Sequence, residues 1–403
     1  MRKIVCILFV SLLFAASAHG QGVFLRGAGA INESMGGTAT GAPIDALGAL
    51  QWNPAGISAL EKNEISFAAG LLLPTASISS PQGEIDGQPG TALAPCMGIT
   101  WREPCSKWTY GLGIISVGGA KSAFPSLKKI AGADPTLREL DTLNSDILIL
   151  QVAPTVSYQL TEKLSIGAAP TLTLCQLLCD PLYISQAPEG TGPLSFPSGS
   201  SSRYCYGGGF QFGLFYDTKC NWQFGLCYKS PQWMEPFRYQ TEEYSASGEY
   251  LGTDVRKLRI NLPQTISLGA AYTGFDKTLI ALDLRYFSYA SAGDFTKLGW
   301  RDVFGFNLGI QRILTDRITG RIGYAYNQNP ISDAYTYRNL ASSMITEHTL
   351  FMGTTLKITQ QIDLSLTYAH AFSNEISGAS PLGMPIKESL SADSINLGIR
   401  VTF

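Results

Sequence analysis

Charge is what this chain has least of. Lysine, arginine, aspartate and glutamate make up 15% of its 403 residues, where a soluble domain carries about a quarter. The formal balance is only −2, too mild to draw a polyanion, so nucleic acid is not an expected partner. Histidine is scarcer still, with His19, His348 and His370 the whole set. No G-x-S-x-G, H-E-x-x-H or phosphate-cradling loop occurs, so neither an enzyme nor a cofactor is expected. Beyond residue 20 there is no run of eighteen apolar residues, which excludes a membrane-spanning helix.

What stands at the start is a leader. Arg2 and Lys3 precede an apolar run from Ile4 to Ala16, and Ala16-Ser17-Ala18 offers a small-residue cleavage signal. Residues 1–20 therefore read as a signal peptide. Its removal leaves 27 basic against 31 acidic residues, a net −4. Seven cysteines remain: Cys96, Cys105, Cys175, Cys179, Cys205, Cys220 and Cys227. Their spacings match no zinc framework, and no metal site is expected. In an oxidising compartment some of them can pair, although an odd count leaves one over.

Low charge in an exported chain needs a cause, and the strand pattern supplies it. In "SINLGIRVTF", Ile395, Leu397, Ile399, Val401 and Phe403 alternate with Ser394, Asn396, Gly398, Arg400 and Thr402. Period two gives one apolar and one polar face. Fourteen such segments are expected, near 63–73, 95–103, 108–117, 146–159, 164–178, 203–217, 221–230, 263–274, 278–289, 302–312, 316–326, 346–358, 362–372 and 393–403. The connections around 104–107, 160–163, 218–220, 275–277, 313–315 and 359–361 are short. Those at 74–94, 118–145, 179–202, 231–262, 290–301, 327–345 and 373–392 are long and rich in Pro, Gly and Ser. An even strand number with alternating short and long connections is the signature of a bacterial transmembrane barrel. Closure is obligatory there, because an open sheet edge cannot face lipid. The expected fold is all-β, a 14-stranded antiparallel transmembrane β-barrel over residues 63–403.

Residues 21–62 fit neither strand nor linker. They are Gly-rich and apolar, without alternation, and a disordered tail would be polar. Phe24, Leu25, Leu47, Leu50, Trp52 and Ile57 need shelter, and fourteen strands enclose a lumen too wide for their own side chains to fill. The segment is expected to be an N-terminal hatch, a plug in the lumen, with Pro54 fixing the bend after Asn53.

The stretch "GVFLRGAGAINESMGGTATGAPIDALGALQWNPAGISAL", centred on Asn53-Pro54-Ala55, resembles the hatch of the FadL/TodX family of outer-membrane transporters. "LPQTISLGAAY", "LIALDLRYFSYA", "WRDVFGFNLGIQRILTDRITGRIGYAYNQNPI" and "SLTYAHAF" follow in the family's order. The resemblance implies uptake of hydrophobic compounds, long-chain fatty acids or aromatic hydrocarbons, in the bacterial outer membrane. It further implies capture by external loops, a lumenal pocket, hatch rearrangement and lateral release. Asn53, Pro54 and Ala55 are carried over as the hatch motif. From the residues themselves, loop apolar clusters offer a capture surface: Leu182 and Phe196 in one loop, Trp233, Met234 and Phe237 in another. Strand parity points Lys229, Arg285, Arg321 and Arg400 inward, where Arg285 and Arg321 can meet a ligand carboxylate or join salt bridges such as Asp283–Arg285. The expected partners are a hydrophobic ligand and outer-membrane lipid with lipopolysaccharide, the protein being a monomer. A general diffusion porin and a structural or adhesive surface barrel are the alternatives.

Overall fold

The computed structural model describes residues 22–134, 137, 142–180, 199–244, 250–340 and 344–403. Residues 1–20, expected as the leader, lie outside the described residues. Fourteen antiparallel strands form the barrel. They are β1 (Glu64–Ser80), β2 (Ala92–Trp101), β3 (Trp108–Phe124), β4 (Leu143–Gln159), β5 (Leu164–Asp180), β6 (Gly199–Asp217) and β7 (Trp222–Lys229). The second half comprises β8 (Thr265–Phe275), β9 (Thr278–Phe287), β10 (Val303–Ile313), β11 (Ile318–Asn327), β12 (His348–Lys357), β13 (Ile362–Ala379) and β14 (Pro385–Thr402). Each pairs with its sequence neighbours, and β14 returns to β1 from Glu64↔Thr402 to Ser79↔Lys387. The sheet therefore has no free end, as lipid requires.

Alternation sorts the wall into two faces. Along β14, Ile395, Leu397 and Ile399 are exposed while Ser394 and Asn396 are buried; along β9, Leu282 and Leu284 face out and Asp283 and Arg285 face in. The exposed apolar residues make a lipid-facing belt. Trp101 stacks on Tyr110 at 5.6 Å, and Trp108 packs tilted on Tyr158 at 4.5 Å and Trp222 on Tyr272 at 4.8 Å, all near the short turns. They form an aromatic girdle where hydrocarbon meets headgroups.

Two expected loops turn out to be largely strand. β1 runs on to Ser80, and β13 and β14 extend through 373–392 until only residues 380–384 connect them. Past the lipid belt these strands keep their backbone ladder but lose the apolar alternation. Lys387 pairs with Glu375 at 2.6 Å on one such extension. A pattern built on burial in hydrocarbon is blind to strands that project into water. A separate antiparallel hairpin, Phe237–Tyr244 with Tyr250–Leu258, lies among the long connections.

Candidate functional site: a plugged lumen with a gap in its wall

The hatch is short helices, not strand. Gly29–Ser34 (α1) and Ala46–Trp52 (α2) are α-helical, and Pro54–Ala59 is a 3₁₀ helix. Every residue of α2 is buried. A helix buried all round carries no amphipathic period, so the sequence pattern could not reveal it.

Asn53 joins the last two helices. Its backbone is extended (φ −159°, ψ 102°), as a residue before proline prefers. Its Oδ1 accepts from Ala55 N at 3.1 Å, capping the 3₁₀ helix that Pro54 starts. Its Nδ2 donates to Thr40 O within the hatch at 2.7 Å and to Leu214 O on β6 at 3.0 Å. One side chain thus fixes a turn, a second hatch segment and the wall. Ala55 sits where a Cβ on Gly167 of β5 would stand 2.4 Å from its nitrogen.

That close approach recurs around the lumen. A Cβ on Gly213 would lie 2.0 Å from Asn53 Oδ1, on Gly225 1.7 Å from Thr40 O, and on Gly323 2.1 Å from Gly36 N. These strands present bare backbone to the hatch, and its main chain, with the Asn53 side chain at Gly213, packs directly on theirs. Sequence reasoning missed this ring. Its signal was there, because glycines repeatedly take a lumen-facing place in "GLFYD", "FGLCY" and "RIGYAY".

Charged groups complete the docking. Asp283 Oδ2 accepts from Ala39 N (3.0 Å), Thr40 N (3.0 Å) and Thr40 Oγ1 (2.8 Å). Arg285 pairs with the same oxygen at 3.0 Å, donates to Gly37 O, and lays its guanidinium 3.4 Å from the centre of the Trp52 ring. Lys229 Nζ lies 4.9 Å from that ring. Arg321 donates to Gln311 and Thr355, and Arg400 to Asp363 and to Ile44 O of the hatch. The inward orientation expected of these four basic residues is what the structure has, and Arg285 and Arg321 are already engaged by protein groups. At the base of the barrel Glu64 accepts from Ala46 N, the start of α2.

Beside it, burial pushes the Asp45 carboxyl up to about 7, with the Glu64 charge adding to the shift and Arg400 opposing it. A free aspartate titrates near 4. Between about pH 4 and 7 the docked hatch therefore holds a proton that an undocked one releases, so docking weakens as pH rises through that window and levels off above it. Asp45→Asn should weaken this dependence and dock more tightly than wild type at pH 8. Amide exchange of α2 at pH 4.5 and 8 measures it.

The hatch's first residues behave differently. Residues 22–29 border a cavity of about 160 Å³ in the upper lumen, lined also by Leu72, Pro74, Ala94, Cys96, Ala120, Met344, Phe351 and Leu390. An apolar cavity of about 150 Å³ is enough to hold benzene. Arg26, Glu33, Lys121 and Asp393 are its charged members: Arg26 donates to Thr346 and Glu33 accepts from Ser394 and Asn396. Above it Tyr289, Phe295 and Trp300 pack with ring centres 4.4–5.4 Å apart, and Val23 N donates to Tyr289 Oη at 3.1 Å.

Next to this cavity the wall is incomplete. The β2–β3 ladder runs only from Trp101↔Tyr110 to Cys96↔Ile115. Above it the ladder stops: β2 pairs with β1 as far as Ala92, β3 pairs with β4 as far as Phe124 with a register shift between Ser116 and Gly118, and Ser116 Oγ on Pro95 O at 2.8 Å marks the lower edge of the opening. Gln88 N on Ala123 O closes the top of the opening. The hatch covers its inner side: Leu25 N donates to Val117 O at 2.9 Å and Phe24 bridges Gly118.

The expected capture residues divide. Leu182 and Phe196 lie outside the described residues. Trp233 is 55% exposed and packs 6.3 Å from Phe210 on the outer face of β6. Met234 and Phe237 are buried in the apolar cluster beneath the long connections. The three do not share one surface.

A family model described as outer membrane protein transport protein (OMPP1/FadL/TodX) matches residues 10–402. Among solved structures, the Pseudomonas putida toluene transporter TodX is similar with a TM-score of 0.75 at 16% identity, over 94% of this chain and 99% of that one. The Ralstonia pickettii toluene transporter TbuX gives 0.72 at 17%, over 94% and 99%. A Pseudomonas aeruginosa FadL homologue gives 0.72 at 14%, over 95% and 100%. No curated protein matches the chain by sequence.

Proposed function

Since the chain belongs to the OMPP1/FadL/TodX family of outer membrane transport proteins, we propose that it admits small hydrophobic molecules to the upper lumen and releases them sideways between β2 and β3. The observation that carries this reading is the unpaired stretch of wall beside the cavity. Residues 29–60 are tied to strands around the barrel, so a path straight through the base would break many buried hydrogen bonds at once. The first hatch residues are held by far fewer. Moving Phe24 and Leu25 off β3 uncovers a route from the cavity to the membrane, and an apolar solute gains roughly 0.8 kcal/mol per methylene kept out of water along it. Downhill movement needs no energy source.

The toluene-transporting relatives and the size of the cavity favour single-ring or similarly compact cargo. In this reading Met234 and Phe237 build the floor of the external cap, Arg285 acts on the hatch and Arg321 on the wall, and neither acts on cargo. The protein is a monomer, its outer face in contact with lipid and lipopolysaccharide.

The test fills the opening from both edges. Ala94→Phe with Gly119→Phe should lower uptake of radiolabelled toluene into producing cells at least tenfold, with the barrel folded and present in normal amount. Labelled sucrose uptake serves as control. Unchanged toluene uptake in the double variant overturns lateral release, and rapid sucrose entry through the wild type overturns selectivity for apolar cargo.

A further inference from the structure

Cys175 on β5 and Cys205 on β6 are direct partners in the antiparallel ladder, both buried on the lumenal face. We propose that they form a cross-strand disulfide in the mature protein. Residues directly opposed in such a ladder have Cα atoms about 4.5–5.5 Å apart, inside the 4.4–6.8 Å that a disulfide spans. In the structure all seven described cysteines are thiols, and no other two are so placed. Cys179 lies opposite Gly199, Cys96 opposite Ala68 and Ile115, and Cys227 opposite Gly213 and Ser267. Cys105 and Cys220 are exposed in two separate short turns.

The position gives the bond a task. Just below Cys205 the strand reads Gly207-Gly208-Gly209, and just above Cys175 the ladder shifts register between Leu177 and Cys179. A glycine run specifies strand register weakly, since it offers no side chains to pack. A covalent tie between these two weak points sets which residues of β5 and β6 oppose one another. It also closes the chain around residues 181–198, which connect the two strands.

The compartment supplies the chemistry. An outer-membrane chain crosses an oxidising space in which protein disulfides serve as oxidants. One thiolate attacks a sulfur of the donor disulfide, giving a mixed disulfide and one donor thiolate. The second cysteine, deprotonated, attacks the chain's own sulfur in that mixed disulfide. The Cys175–Cys205 bond forms and the other donor thiol leaves, so two electrons and two protons pass to the donor. Both sulfurs are buried once the barrel closes, which sets the exchange before closure.

Differential alkylation tests this. Protein from outer membranes is denatured in N-ethylmaleimide, reduced, labelled with deuterated maleimide, and mapped by mass spectrometry. Cys175 and Cys205 should carry the second label, the other five cysteines the first. Cys179→Ala should leave that pattern intact, and Cys175→Ala should transfer Cys205 to the first label. First label on both cysteines of the wild type, or second label on a different pair, overturns the proposal. Should Cys175→Ala fail to accumulate, the wild-type map alone decides.

Discussion

Removing residues 22–60 should leave the fourteen strands paired and turn a tight barrel into a steady ion-conducting pore. The hatch meets the wall from inside, and apart from Phe24 on Gly118 it takes no place in the sheet. The β14–β1 closure uses sixteen residues on each strand without hatch participation. Fourteen strands with a ring of lumen-facing glycines leave a bore that side chains do not fill. In planar bilayers the wild type should show near-background current, and the deletion variant a stable conductance at least tenfold above it. Heat-modifiability on gels checks that the variant barrel is folded. A folded but non-conducting variant would mean that the long connections, and not the hatch, seal the lumen.

Arg285→Met should undo the hatch almost as thoroughly with a single atom group. Asp283 and Arg285 are both fully buried, and their pair binds the backbone of residues 37–40 while the guanidinium covers Trp52. Breaking a buried ion pair by removing one partner costs about 3–5 kcal/mol, because the other charge stays buried and uncompensated. Stacking on Trp52 adds roughly 1–2 kcal/mol. Such losses shift a docked-to-undocked equilibrium by a factor of order 10³. The readout is amide exchange at Ala39 and Thr40, with ion leak beside it. Adding Asp283→Asn should recover part of the loss, since it removes the stranded charge but keeps an acceptor. If the double variant is worse than Arg285→Met by the full cost of a second independent lesion, the two residues do not act as a pair.

Much of this architecture was legible in the residues. Alternation in hydrocarbon-facing strands is a strict demand, so all fourteen strands appear in order, and strand parity alone turned Lys229, Arg285, Arg321 and Arg400 inward. Asn53-Pro54-Ala55 stands at the junction of the last two hatch helices. The β2–β3 opening was not legible, because it is a matter of where a ladder stops. Either edge of it reads as ordinary strand. Trp233 and Met234 looked alike in the sequence and differ completely in burial, since the two-residue strand that pairs them with Gly208 and Gly207 turns neighbours to opposite faces. The helices of the hatch were invisible for a related reason: total enclosure erases periodicity.

The bare-backbone level of the lumen has a consequence for how such barrels diversify. Where main chain meets main chain, the fit is indifferent to most of the alphabet but intolerant of any added carbon. Drift is therefore open in the loops and among apolar residues on the lipid side, and forbidden on one narrow storey inside. Selectivity for cargo must then be written above that storey, in the chamber walls, where exchanging one side chain alters volume without disturbing the seal beneath.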